Sequence, residues 1–161
     1  MVDMKLLGLQ DELRVKEARL MGNGFHGGCI SAMDISVQRP LIATCSREDS
    51  TVRLWNYYTN TCELTYTSSS TEERDMNNRP IVALAMHPSG YYMAVSYVDK
   101  IKIFHVLHNE LKHFRNIDIK NCQKMRFSNG GHLFAATDQK SCIHVFHSFT
   151  LERACSIKVN T

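Results

Sequence analysis

Residues 41–55 read LIATCSREDSTVRLW, two mainly apolar runs separated by a polar turn. In the second run apolar and polar residues alternate toward Trp55, which is the period of a half-buried strand. The same arrangement returns at 92–104, YMAVSYVDKIKIF, and at 133–146, LFAATDQKSCIHVF. The closing aromatic residues lie at positions 55, 104 and 146, at steps of 49 and 42 residues. The chain therefore contains three copies of one unit, with one insertion.

Further strand signals lie on both sides of each copy. Upstream, apolar stretches at 30–35, 81–86 and 122–127 each precede a turn rich in Pro, Gly, Asn or Ser. Downstream, short strand candidates lie at 62–66, 111–114 and 154–159. Each copy thus predicts four short strands, and four-stranded repeats of about 40 to 45 residues are typical of β-propeller blades. We expect an all-β fold.

Composition limits the class of protein. Of the 161 residues, 43% are hydrophobic and 22% are charged, and 19 basic residues against 16 acidic ones give a net charge of +3. These values are close to those of an average soluble domain, and the scattered basic residues predict neither a nucleic-acid nor a membrane partner. No stretch approaches the roughly 18 apolar residues of a membrane span. The charges in residues 1–20 do not predict a secretory signal.

The first copy resembles a WD repeat. Phe25-His26 opens the copy, Ser46 lies on its second predicted strand, Asp49 lies in the next turn, and Trp55 ends the third strand. In the WD-repeat family, the equivalents of these four residues, His26, Ser46, Asp49 and Trp55, form a buried hydrogen-bonded network. The resemblance therefore implies that network here, since buried imidazole, carboxylate and indole groups must satisfy one another.

The second and third copies depart from the family pattern. Phe104 and Phe146 replace the tryptophan, and the opening His is missing, so we expect the network in the first copy alone. The expected architecture is a partial propeller of about three blades, at about 22–66, 80–115 and 117–161, with a polar loop at 67–79. Residues 1–21 are expected to form an N-terminal extension, either a helix or the outer strand of a preceding blade.

Three blades are too few for a closed propeller, which has about 4 to 8. The chain is therefore expected to be a fragment, an isoform or a truncated gene product. Remaining blades, or another chain, would be needed to complete the fold.

Longer strings carry a more specific resemblance. They are residues 39–46, RPLIATCS, 52–57, VRLWNY, 87–90, HPSG, and 127–136, FSNGGHLFAA. Together they are similar to one WD-repeat family of motile cilia, the cilia- and flagella-associated protein 57 family. This resemblance implies a non-enzymatic scaffold of the ciliary axoneme, in the cytoplasm and cytoskeleton, associated with inner dynein arm assembly or doublet microtubules. Its expected partners are other proteins, and no cofactor is expected. The alternative is a WD-repeat adaptor of another cytosolic complex.

Histidine pairs raise the possibility of a metal site. The pairs are His105 with His108 and His144 with His147. Residues three apart on a strand face opposite sides, so neither pair is expected to share one ion unless it spans a turn. No metal ligand is therefore assigned.

Two patterns raise the possibility of catalysis. His26, Ser46 and Asp49 have the composition of a hydrolase triad, but the same residues belong to the expected blade network. The six cysteines are widely spaced and are expected to be reduced and mostly buried. Four of them lie in apolar strand contexts that disfavour a reactive thiolate: Cys29, Cys45, Cys122 and Cys142. No catalytic residue is assigned.

The densest basic region is a candidate partner contact. It contains Lys112, Arg115, Lys120, Lys124 and Arg126. These side chains could touch an acidic protein surface such as that of tubulin, or they could form an ordinary solvated face.

Overall fold

The computed structural model describes residues 25–68 and 80–158, which form twelve strands in three four-stranded antiparallel sheets. The first sheet contains β1 (Ile30–Ile35), β2 (Leu41–Ser46), β3 (Thr51–Asn56) and β4 (Thr61–Thr67). The second contains β5 (Ile81–Met86), β6 (Tyr92–Tyr97), β7 (Ile101–Val106) and β8 (Leu111–Ile117). The third contains β9 (Met125–Phe127), β10 (Leu133–Thr137), β11 (Cys142–His147) and β12 (Arg153–Lys158). The predicted all-β fold of three four-stranded blades is confirmed.

Each sheet is a simple meander, in which every strand pairs with the next one in the chain. The alternation of apolar and polar residues in β3 places Val52 and Leu54 in the core, while Arg53 is only half-buried. Short polar turns connect the strands, and Gly90 and Gly131 occupy equivalent turns with the same φ of +75°. That conformation costs a glycine little, because it has no Cβ atom.

The second sheet lies between the other two. One apolar cluster joins the first and second sheets through residues such as Leu41, Leu54, Met93 and Phe104. A second cluster joins the second and third sheets through Ile101, Ile103, Phe134 and Phe146 among others. Strand β5 contacts β1 and β2 on one side and β9 on the other. The first strands of the three sheets, β1, β5 and β9, therefore lie next to one another.

The two outer sheets leave apolar side chains uncovered. On β1, the edge strand at which the first sheet begins, Met33 is 68% exposed and Ile35 is 52% exposed. At the other end, every residue of β12 is exposed. None of the sheets is closed on itself. The molecule is a partial propeller whose ring is not closed.

Several predicted boundaries differ from the structure. The third copy's first strand was expected at 122–127 but covers only Met125–Phe127. The preceding residues are held differently, because Asn121 has a φ of 49° and Lys124 pairs with Thr137 through backbone and side chain. The polar loop was expected to begin at Thr67, but that residue ends β4.

Some expectations fall outside the described part of the chain. The extension at 1–21, most of the loop at 67–79 and the last residues of the third blade are not among the described residues. Residues 25–68 and 80–158 contain no helix long and apolar enough to cross a membrane.

Candidate functional site

A chain of hydrogen bonds crosses the first sheet from Trp55 to Asp49. The buried indole Nε1 of Trp55 donates to Thr44 Oγ1 at 2.8 Å, and Thr44 Oγ1 lies 2.8 Å from His26 Nε2. On its other side, His26 Nδ1 lies 2.9 Å from Thr51 Oγ1 and 3.2 Å from Asp49 Oδ2. The His26 side chain is 1% exposed. Five side chains thus connect Trp55, near the end of β3, to the turn between β2 and β3.

The donors and acceptors of this network run in one direction. Thr51 donates to Asp49 Oδ1 through its backbone N–H at 3.0 Å and its hydroxyl at 2.7 Å. Its hydroxyl oxygen must therefore accept from His26, which places a proton on Nδ1. His26 Nε2 is then the acceptor for the Thr44 hydroxyl, whose oxygen accepts from Trp55. Each of these polar groups thus has a hydrogen-bond partner within the network, which stabilises the fold.

The carboxylate at the end of the network is kept ionised. Partial burial by itself raises the pKa of Asp49, but hydrogen bonds from Thr51 and from Gly27 N–H, with His26 nearby, together hold the pKa below its ordinary value. Gly27 N–H donates to Asp49 Oδ2 at 2.8 Å. The Phe25 ring stacks on Trp55 with centroids 5.1 Å apart. The segment before β1 is thereby attached to the rest of the sheet.

Ser46 does not take part in this network. Its side chain is buried, and its Oγ has no hydrogen-bond partner within the described residues. The register explains the difference: Trp55 faces Ile42, so Thr44 is two residues along β2 and Ser46 is four. At about 3.4 Å per residue, Thr44 is a diagonal neighbour of the indole and Ser46 is out of reach. In the structure Thr44 therefore takes the place in the network at which the resemblance implied Ser46.

The third sheet holds a shorter polar chain that the sequence analysis missed. His144 Nε2 lies 3.0 Å from Asp138 Oδ2, and His144 Nδ1 lies 2.8 Å from Ser156 Oγ. Hydrogen bonds from Cys142 N–H and His144 lower the pKa of Asp138. The feature of the sequence that could have revealed this polar chain is the aspartate in the turn before β11, equivalent to Asp49 before β3. His144 bonds to a carboxylate and a hydroxyl, not to His147.

A second missed histidine joins two sheets. His87 lies in the turn between β5 and β6, and its Nε2 lies 3.0 Å from the carbonyl oxygen of Gly131 in the third sheet. Ser89 N–H donates to His87 Nδ1 at 3.1 Å, so Nε2 carries the proton and donates to Gly131. Burial lowers the pKa of His87. Only a glycine fits at 131, because a Cβ atom there would overlap the imidazole.

The five basic residues are all exposed, but they do not form one patch. Lys112 and Arg115 lie on β8, the last strand of the second sheet, whereas Arg126 lies on β9, the first strand of the third. Strand β9 contacts β5, and β5 is three strand spacings, roughly 14 Å, from β8 across the second sheet. Lys120 and Lys124 lie on the segment that connects these two strands. Arg115 Nη1 donates to the carbonyl oxygen of Thr150 at 3.2 Å.

The cysteines are free and less buried than expected. Only Cys45 and Cys122 are buried, Cys62 and Cys142 are half-buried, and Cys29 and Cys155 are exposed. Burial raises the pKa of Cys45 and of Cys122, which makes both thiols poor nucleophiles at neutral pH. Cys29 precedes β1, and among the described strands mainly β2 and β5 contact β1, so the apolar context of Cys29 does not bury it.

Groups for metal or hydrolytic chemistry are not assembled in the described ranges. No three His, Cys, Asp or Glu side chains within 25–68 and 80–158 lie close enough to hold a metal ion. His105 packs against the rings of Tyr92 and Phe114, at 4.8 and 4.7 Å between centroids. In the triad-like set, His26 bonds to threonines and Asp49 and not to Ser46.

Comparisons with known proteins agree with this architecture. Residues 20–56 match the family described as WD domain, G-beta repeat. The chain is 38% identical over 133 residues to "Cilia- and flagella-associated protein 57 A" of Tetrahymena thermophila, covering 83% of this chain and 9% of that protein. It is 37% identical over 136 residues to "Cilia- and flagella-associated protein 57" of Mus musculus, covering 84% of this chain and 10% of that protein.

A third relative gives the same result. "Cilia- and flagella-associated protein 57 C" of Tetrahymena thermophila is 32% identical over 146 residues, which covers 86% of this chain and 10% of that protein. The chain thus spans about one tenth of the length of the curated relatives it matches. The repeated four-stranded sheets, the network that ends on Trp55 and these matches show that the chain belongs to the WD-repeat family and is similar to a part of cilia- and flagella-associated protein 57.

Proposed function

We propose that this chain contributes part of a protein-interaction scaffold in the axoneme of motile cilia, in the cytoskeleton and without turnover of a substrate. The observation that carries the proposal is similarity over more than four-fifths of the chain to proteins named for cilia and flagella, from both a ciliate and a mouse. Family membership supports the coarser role, because WD repeats typically present loops on a stiff frame to other proteins.

The structure supports a framework role for its polar residues. The hydroxyls of Thr44 and Thr51 and the imidazole of His26 are engaged in one internal network. His87 connects the second and third sheets. These groups hold turns and sheets in place, and a stiff frame is what a docking surface needs to bind without a large ordering cost.

The proposal extends to the partners. They are proteins of the axoneme, either components of the inner dynein arms and their assembly or the doublet microtubules. The proposal also includes additional blades, from the same protein or another chain, that cover both open ends of the incomplete propeller. The apolar side chains exposed on β1 and at β12 support it.

The proposal is tested in a multiciliated cell that expresses the tagged full-length protein containing this sequence. We expect the tag along motile cilia and, in isolated axonemes, in the fraction that resists salt extraction. Loss of the protein should disturb beating while cilia remain present. A protein found only in the soluble pool, with normal beating, would instead favour a WD-repeat adaptor of another cytosolic complex.

A further inference from the structure

The turns of the three sheets lie at two edges of opposite chemistry. In a meander of four strands, the first and third turns are at one end and the second turn is at the other. The corresponding ends of the sheets are aligned, since Val37 N–H and Gln38 N–H donate to the Pro88 carbonyl and His87 bonds to Gly131. We call the edge formed by turns 36–40, 57–60, 87–91, 107–110, 128–132 and 148–152 the aromatic edge. The charged edge is formed by turns 47–50, 98–100 and 138–141.

The two edges differ in their side chains. The aromatic edge exposes Tyr57, Tyr58, Tyr91 and Phe149, together with Val37 and Leu107. Its charged residues are Arg39, Glu110 and Glu152. The three shorter turns of the charged edge carry Arg47, Glu48, Asp49, Asp99, Lys100, Asp138 and Lys140. Exposed tyrosines with few charges are the composition of a protein-binding surface, whereas a dense mixture of charges is typical of a solvated one.

A cavity of about 400 Å³ opens at the aromatic edge in the third sheet. It is lined by His132, His147, Ser148, Phe149, Thr150 and Glu152. The turns at 128–132 and 148–152 are joined there, because Ser148 N–H donates to the His132 carbonyl at 2.9 Å. The volume is at the small end of the range for ligand pockets, about 300 to 1,000 Å³, and suits one side chain of a partner.

The lining has acceptors that the chain itself leaves unused. Ser148 is 8% exposed, and its Oγ has no hydrogen-bond partner within the described ranges. The Glu152 carboxylate also has none among the described residues. It is the single charged side chain of the lining, and the Arg115 guanidinium lies beside the cavity, where it donates to the carbonyl oxygen of Thr150. Beside them, the Phe149 ring is 54% exposed, with its inner side against His87 and Tyr92.

We infer that this cavity binds an arginine side chain of a partner protein. A guanidinium group carries five N–H donors and no acceptor, so it can bond to the Glu152 carboxylate and to an unprotonated imidazole nitrogen of the lining. Its planar cation stacks on the ring of an aromatic residue such as Phe149. A partner carboxylate would instead meet the negative charge of Glu152. The inference rests on the proposed scaffold role and specifies the chemistry of one contact.

Peptide binding to the 161-residue chain tests this inference. The chain is captured at low density on a sensor surface, so that molecules remain apart, and an acetylated pentapeptide with a central arginine is passed over it. The matched probe replaces arginine with citrulline, which has nearly the same shape without the charge. Glu152→Gln removes the carboxylate, and Glu110→Gln makes the same change in the equivalent turn of the second sheet. Circular dichroism checks that both variants remain folded.

We expect the arginine peptide to bind at least about tenfold more tightly than the citrulline peptide, because the uncharged citrulline cannot make charge-assisted hydrogen bonds. Glu152→Gln should weaken arginine binding by about three- to fivefold, as for a partly exposed ion pair, and Glu110→Gln should leave it unchanged. Equal binding of the two peptides, binding of neither, or equal loss in both variants would overturn the inference.

The outcome is separable from that of the scaffold proposal. If the full-length protein resides on axonemes but the arginine peptide does not bind, the arginine site is wrong and the scaffold role stands. If the peptide binds as expected and the full-length protein is absent from cilia, the scaffold is in another complex.

Discussion

Trp55 donates its indole hydrogen bond to Thr44, its diagonal neighbour on β2, two residues from Ile42, which Trp55 faces. The bond is 2.8 Å long and buried, and it begins the chain of donors that ends on the Asp49 carboxylate. A single β2 hydroxyl therefore connects the core of the first sheet to its polar turn. Thr44 and Ser46 point to the same face of β2, and only one of them does this.

Thr44→Val is expected to destabilise the protein by about 1 to 3 kcal/mol, because it leaves the buried Trp55 N–H without an acceptor at nearly constant volume. Ser46→Ala is the matched control. It removes a buried hydroxyl that has no hydrogen-bond partner within the described residues and should cost less than about 0.5 kcal/mol. Urea unfolding measures both changes. A larger loss for Ser46→Ala than for Thr44→Val would show that the network runs through Ser46.

Trp55→Ala should destabilise the protein more than Phe149→Ala. Trp55 is 2% exposed, and truncating a buried tryptophan costs about 3 to 5 kcal/mol. Phe149 lies in a turn and is about half exposed, so its loss should cost below about 1 kcal/mol. Thermal denaturation of the two variants compares them. Similar shifts in melting temperature would contradict the buried role of Trp55.

The unfolding free energy should depend on pH through His87. Because burial lowers the pKa of His87 below its ordinary value of 6.5, the folded state favours the neutral ring. This stabilisation is fully present above pH 6.5 and is lost as the pH falls through the lower folded pKa, when Nδ1 gains a proton and can no longer accept from Ser89 N–H. His132, the nearby ionisable group, acts in the same direction.

The measurement is the unfolding free energy of the wild type minus that of His87→Gln, followed from about pH 7.5 to about pH 5. Taking the difference removes the contribution of the other histidines. The difference should shrink toward low pH. A difference that is constant or grows over this range would mean that His87 does not need to be neutral to join the two sheets.

The six thiols should react with a maleimide in a defined order. Cys29 and Cys155 are exposed and should be modified first in the native protein. Cys45 and Cys122 should resist until the protein is unfolded, because burial blocks access and raises their thiol pKa. Peptide mapping by mass spectrometry gives the order. Rapid labelling of Cys45 without unfolding would contradict the packing of β2 between its neighbours.

The isolated chain should associate at micromolar concentration. Met33 and Ile35 are exposed on β1 next to an open end, and repeat units need neighbours to bury their apolar faces. Met33→Gln combined with Ile35→Thr should reduce association, whereas Tyr58→Gln, at an 82% exposed turn position, should not. Sedimentation velocity measures the change. A sharp, stable wild-type monomer would show that the open faces are covered within the chain.

The sequence repeat by itself determined the number of blades. Apolar and polar residues alternate along a strand with one buried face, and short turns require particular residues, so both can be recognised in the sequence. The strands at 30–35 and 81–86 have the predicted bounds. The His26, Asp49 and Trp55 positions of the network could also be read from the resemblance. The opposite chemistry of the two edges is visible in the sequence once the strands are known, since alternate turns of a meander share an edge.

Only the tertiary structure decided which polar groups meet. The side chains of Thr44 and Ser46 lie on the same face of β2 and both carry a hydroxyl group. The register of β2 against β3 brings Thr44, and not Ser46, to Trp55. His87 and Gly131 are 44 residues apart, and their contact depends on how two sheets pack. Local sequence patterns encode the facing and length of a strand, whereas contacts between sheets depend on packing geometry that arises only when the core closes between them.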